Sequence, residues 1–183
     1  MQITPIDSID SDLIFLLTMD GVHCPIQEPS PWSKVWSSHK LGGDAAVSYK
    51  IALRIDKPQL LSVNGPFPAG TSDIDIFRNQ LKALIPAQKR AIGDDGYKGE
   101  PNVISTANEF DCREVCQFKN RALAPQESFN SLIKNFDCLR MKFCHGVNNH
   151  QIVCEAVCAI VMYKIASKSS QSSQSSQSSQ SGQ

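Results

Sequence analysis

Four acidic residues stand where side chains from separate segments could act together. Asp20 ends the apolar run Asp12–Met19, Asp73 opens a helical pattern after the turn Pro66–Ser72, Asp94 follows the short apolar stretch Arg90–Gly93, and Glu127 lies two residues after Pro125. Carboxylates converging from different elements are what two-metal phosphodiester chemistry requires. They hold two hard cations about 3.5–4 Å apart, which activate the attacking oxygen and stabilise the leaving one. Magnesium takes oxygen ligands and keeps waters that substrate phosphates can replace. Each acid also has an ordinary structural role open to it. Asp20 can serve the turn at Gly21, Asp73 can cap a helix, and Glu127 can be a first-turn acid favoured by the helix dipole.

Lys+Arg and Asp+Glu are 18 each in 183 residues, a formal net charge of zero. Binding to nucleic acid by bulk charge alone is therefore excluded, though a local basic groove is not. No apolar run reaches the roughly 18 residues of a membrane span. Met1–Ser11 carries acidic Asp7 and Asp10 and no basic n-region, unlike a secretory signal. The seven cysteines form no Cys-x-x-Cys pair. Cys144, His145, His150, Cys154 and Cys158 contain zinc-ligand types, but their spacing matches no finger or ribbon, so core packing is the expectation.

Hydrophobic 41% and charged 20% describe a globular domain. Along the chain, a buried strand over Asp12–Met19 delivers Asp20. The segment Gln27–Gly43, with its prolines and glycines, reads as a loop. Ala46–Ile55 alternates as a second strand and Leu60–Asn64 is a third. A helix follows from Asp73, with Ile76, Leu81, Leu84 and Ile85 apolar and Pro86 as its stop. Arg90–Gly93 is a short strand and Lys98–Asn108 is irregular. Pro125–Phe136 and Ile152–Ala166 are helices, the first with Phe129, Leu132, Ile133 and Phe136 on one face. This order predicts an α/β fold, a mixed sheet flanked by helices. With acids at strand ends and on a late helix, the layout resembles the ribonuclease-H-like nucleases. The domain is expected over 1–168, followed by a Ser/Gln-rich tail over 169–183 with no apolar side chain to bury and no stable fold.

The resemblance narrows further on four segments. Asp20-Gly21-Val22-His23-Cys24-Pro25-Ile26 resembles the Asp-Gly-Thr-His-Ile-Pro-Ile segment of Harbinger-type DDE transposases. Asn64–Asn79 resembles their Pro-Gly-Ser-x-His-Asp-x-x-x-Phe-Arg-Asn, with Ser72 at the histidine. Gly93-Asp94-Asp95-Gly96-Tyr97 resembles Gly-Asp-Ser-Gly-Tyr. Glu127–Lys134 resembles Glu-Arg-x-Phe-Gly-x-Leu-Lys, with Phe129 one place early and Asn130 where an aromatic is usual. Ser38-His39-Lys40 and Lys142-Phe143-Cys144-His145-Gly146 point to one branch of that family.

What the resemblance implies is a metal-dependent DNA endonuclease and strand-transfer domain. Asp20, Asp94 and Glu127 would be its catalytic triad and the ligands of two divalent cations, Mg2+ or Mn2+. Asp94 is preferred to Asp73 because it follows the fourth strand and stands 33 positions before Glu127, close to such transposases' spacing; Asp73 is left an auxiliary, capping role. Lys134, two turns after Glu127 on the same helix face, is expected at a DNA phosphate. Implied partners are DNA, as transposon ends and target, with a separate DNA-binding protein and a homo-oligomer left open, no membrane, and a nuclear location. Only 19 residues precede Asp20, so the expectation is a catalytic domain without the usual N-terminal DNA-binding region. The competing reading is a transposase-derived DNA- or protein-binding module without catalysis.

Overall fold

The computed structural model describes residues 15–57 and 59–177, with side chains described through residue 168. Its centre is β1 (Phe15–Pro25), paired antiparallel with β2 (Ala46–Arg54), which pairs antiparallel with β3 (Leu60–Pro68). On its other side β1 pairs parallel with β4 (Arg90–Gly93), and β4 with β5 (Val103–Ser105). The sheet order is β3-β2-β1-β4-β5. This is the mixed sheet expected.

The β1–β3 meander forms because each strand is a β-branched and aliphatic run bounded by turn chemistry. Strands β1 and β2 are buried almost throughout, since both faces of the sheet are covered. Even-numbered Val22 and Cys24 face one core, with alternate β2 residues Val47, Tyr49, Ile51 and Leu53. Leu17, Met19, Ala52 and Leu61 face another. The second core is closed by α1 (Asp73–Ile76), its π-turn continuation Phe77–Leu81 and a 3-10 turn, Lys82–Leu84. Phe77, Leu81 and Tyr97 fill it.

Three helices cover the first core: α2 (Arg113–Ile133), α3 (Asp137–Arg140) and α4 (Val147–Gln177). Val147–Lys168 is long and apolar enough to cross a membrane by composition. Its Cys154, Val157, Cys158 and Val161 are instead built into the core beside Phe129 and Ile133. Of the residues expected to pack in the core, Cys154, Cys158 and His150 are buried, whereas Cys144 and His145 are exposed; Cys24 is a further buried thiol. Burial pushes the Cys24 thiol up to about 12.

Three expectations change. The irregular stretch Lys98–Asn108 contains β5, only three half-buried residues long. Pro125 is not a helix start: α2 begins at Arg113, with Cys112 at the cap, and Pro125 lies inside it. Arg113–Arg121 is too polar to announce a helix, because its buried stripe includes Lys119, whose charge is met by Asp111 at 2.7 Å. Finally, the helical backbone of α4 continues to Gln177, into the Ser-Ser-Gln repeat expected to be unfolded. Extending a helix already packed in the core needs no new nucleus. Residues 178–183 of that tail lie outside the described residues.

Candidate active site

Asp20 is near the middle of β1, where β4 has already left it: the β1–β4 pairing ends at Thr18↔Ile92. Its side chain points toward α2, in the same direction as Thr18 two residues earlier. Asp94 follows the last residue of β4 and caps the 3-10 turn Asp95–Tyr97, accepting the Gly96 N–H at 3.0 Å. Two adjacent parallel strands thus deliver an acid each, Asp20 from the middle of β1 and Asp94 from just past the end of β4.

Asp73 joins them from the other layer. It occupies the first turn of α1, where Ser72 takes the cap position; the side-chain cap expected of Asp73 is not made, and Ser72 makes no side-chain cap bond either. A Cβ placed on Gly96 would meet Asp73 Oδ2 and Asp94 Oδ1, each at 2.9 Å. Glycine at 96 lets the two carboxylates approach. Asp73 accepts from Lys50 Nζ, a fully buried ammonium on β2. Lys50 lies opposite Gly21 in the strand register. A Cβ on Gly21 would collide with that ammonium, so the glycine after Asp20 makes room for a cation.

Both oxygens of Asp20 are engaged. Oδ1 accepts the Gly21 N–H and Oδ2 accepts Asn130 Nδ2, both at 2.6 Å. Asn130 accepts from Gln126 Nε2 at 3.3 Å, and Gln126 accepts from Thr18 Oγ1 at 3.0 Å. A continuous ladder, Thr18–Gln126–Asn130–Asp20, therefore pins one side of α2 along β1. Burial lifts the Asp20 carboxyl above the usual range, with Asp94 adding to the lift; Lys40, the Gly21 amide and Lys50 oppose it. Lys40 also donates to the Gly21 carbonyl at 3.2 Å. The preceding residues of the Ser-His-Lys segment are used behind the site, where buried Ser38 Oγ lies 2.6 Å from His23 Nδ1.

Glu127 sits deep in α2, not in its first turn, and is exposed. Phe129 on one flank faces the α4 core. Lys119, whose ammonium reaches the Thr106 carbonyl just beyond β5, lies toward the opposite flank. At 100° per residue, Glu127 falls beyond Asn130 on that second flank, the side on which β4 and β5 lie. The residue on α2 that touches Asp20 is Asn130, which sequence reasoning passed over; its only signal was a departure from the expected aromatic. Lys134 is exposed at the C-terminal cap of α2. Trp36 packs against the first core, while Trp32 is exposed.

Among the described residues, no group of three or more His, Cys, Asp or Glu is already gathered around a cation position. The donor set nevertheless suits a hard cation. Asp20 and Asp94 offer carboxylate oxygens with lone pairs beyond those used by their present donors.

A family model described as DDE superfamily endonuclease matches residues 19–163. The chain belongs to that family. The match begins beside Asp20 and takes in Asp73, Asp94 and Glu127, so the fold is that of a DDE nuclease, ribonuclease-H-like. Members of this endonuclease family generally use divalent metals, and transposase-type nuclease domains act on DNA. No curated protein and no solved structure matches the chain.

Proposed function

We propose that this domain cleaves and rejoins DNA phosphodiester bonds as the catalytic part of a Harbinger-like transposase, with Asp20, Asp94 and Glu127 as its triad. The observation that carries this reading is that neighbouring parallel strands bring Asp20, in mid-β1 where β4 leaves it, and Asp94, just past the end of β4, close enough for Asp94 to raise the Asp20 carboxyl, in a DDE endonuclease fold. Two Mg2+ or Mn2+ ions, when bound, supply the activation of the attacking oxygen and the neutralisation of the leaving one. The chain's own part is positional. Asn130 and the Gly21 amide orient the Asp20 carboxylate. Gly96 holds Asp94 through its N–H. Glu127, exposed on the flank of α2 beyond Asn130, is the third acid of this reading. Lys134 at the end of the same helix is a phosphate contact, and Lys40 adds positive potential beside Asp20. The partners are transposon-end and target DNA; end recognition comes from a separate DNA-binding protein or a second copy, and the nucleus is the place of action.

One observation favours a second reading, a binding module without catalysis. Lys50 already places an ammonium within the acid cluster, on Asp73. A nicking assay on supercoiled plasmid separates the two. The catalytic reading expects nicking by the purified chain with Mg2+ or Mn2+, absent with chelator and in Asp20→Ala, Asp94→Ala and Glu127→Ala. Plasmid binding without nicking in either metal gives the binding module.

A further inference from the structure

Beside Asp94 the surface opens into a groove of about 480 Å³, lined by Asp94, Asp95, Tyr97, Ser105, Asn108 and Phe110 among others. None of the expected roles uses it. Phe110 is the most exposed large apolar side chain described, at 90%. Its loop is braced. Asn108 Oδ1 accepts the Phe110 N–H and Asp111 Oδ2 accepts the Asn108 N–H, each at 3.0 Å. The Asp111 carboxylate is in turn tied to buried Lys119. A phenyl ring is thus held out in water by a rigid loop at the edge of a polar groove. On the groove wall Tyr97 is 2% exposed, and its hydroxyl has no hydrogen-bond partner among the described residues.

We propose that this groove receives one unpaired nucleobase of a DNA end, stacked on Phe110, next to the scissile phosphate. The inference rests on the nuclease reading above and names the substrate form it prefers. Two carboxylates, Asp94 and Asp95, against one ammonium, Lys98, leave the groove lining net negative in the absence of added cations, so the neutral part of a nucleotide is what the groove suits. Ser105 and Asn108 offer hydrogen bonds to base edges. A base inside a duplex already has both faces covered and gains nothing from the phenyl ring. One that has left the stack gains a full face.

The test is binding of the full chain, read by fluorescence anisotropy with Ca2+ in place of Mg2+. The probes are a blunt duplex and the same duplex carrying an unpaired 3′ overhang. Wild type is expected to bind the overhang about tenfold more tightly, Phe110→Ala to lose that preference, and Phe110→Trp to keep it. With its side chain in solvent, the Ala variant should melt like wild type, and circular dichroism checks this. Equal affinity of wild type for both probes, an undiminished preference in Phe110→Ala, or an equal loss on both probes overturns the proposal. Plasmid nicking in Mg2+ without an overhang preference sinks this inference alone. An overhang preference without nicking sinks the nuclease reading and leaves the stacking site standing.

Discussion

Lys50, wholly buried on β2, donates its ammonium to Asp73 on the first turn of α1, across the two layers that meet at the acid cluster. Asp73 is thus neither simply a cap nor a free metal ligand; it is the counter-charge of a cation that has no water. Removing it strands the charge, at a cost of about 3 kcal/mol for a buried pair that keeps some solvent on one side. Asp73→Asn should lower stability by about that amount in urea unfolding. Adding Lys50→Met to Asp73→Asn should restore most of it. A double variant no more stable than the single one would show that the pair is not the source of the cost.

The Asn130 contact makes a kinetic prediction. Asn130→Ala leaves Asp20 one hydrogen bond short and free to rotate. It should lower metal-dependent nicking about 10- to 100-fold, as loss of groups that orient metal ligands does, while stability falls by only about 1 kcal/mol. Gln126→Ala, one rung further away, should act in the same direction and more weakly. Nicking unchanged in both variants would remove the ladder from the mechanism.

Divalent cations should stabilise the folded chain. A cation that binds only the native acids, at about a hundred times its dissociation constant, adds about 2.7 kcal/mol. Thermal melts should shift upward with Mn2+, and Asp20→Ala or Asp94→Ala should abolish the shift. An undiminished shift in both variants would locate the cation elsewhere.

Acid should destabilise the fold through His150. Its ring is fully buried, Nδ1 is 2.8 Å from the Tyr49 hydroxyl, and Phe143 packs edge-on. Burial brings its pKa down to about 4 from the ordinary 6.5. Between those values the unfolded chain takes up the proton and the folded chain does not, so stability falls as pH drops from about 6.5 toward 4. A tenfold weaker hold on the proton is worth about 1.4 kcal/mol, which gives about 3 kcal/mol over the window. His23, also brought down to about 4, chiefly by burial, acts over the same range. His150→Phe should flatten the pH profile of the melting temperature; an unchanged slope would assign it to other groups.

Strands β1 to β4 could be read from the sequence because apolar alternation and turn residues agree over each of them. Asp20 was expected at the end of its strand, but β1 runs on through Val22 and Cys24 to Pro25; Asp94 does follow the last residue of β4. The first three turns of α2 could not be read. Their buried stripe passes through Lys119, and Pro125 imitates a start signal that the middle of a packed helix overrides at local cost. For the same reason Glu127 was placed in a first turn it does not occupy. Asn130 was invisible because its partner is 110 positions away in sequence, and only the register of α2 on β1 brings them together. Lys50 looked like any alternating polar residue of a strand; that it points inward depends on Asp73 arriving from another layer.

Between the last β4 pair at Thr18 and the bridge that Phe143 makes to Pro25 and Ile26, the middle of β1 has a neighbour on one side only among the described residues. An open strand of this kind is a place where another chain's strand can add itself. At Gly21 both main-chain groups are already taken by side chains, the N–H by Asp20 and the carbonyl by Lys40. The charged side chains that attend the acid cluster therefore also guard the open edge against edge-to-edge growth between copies.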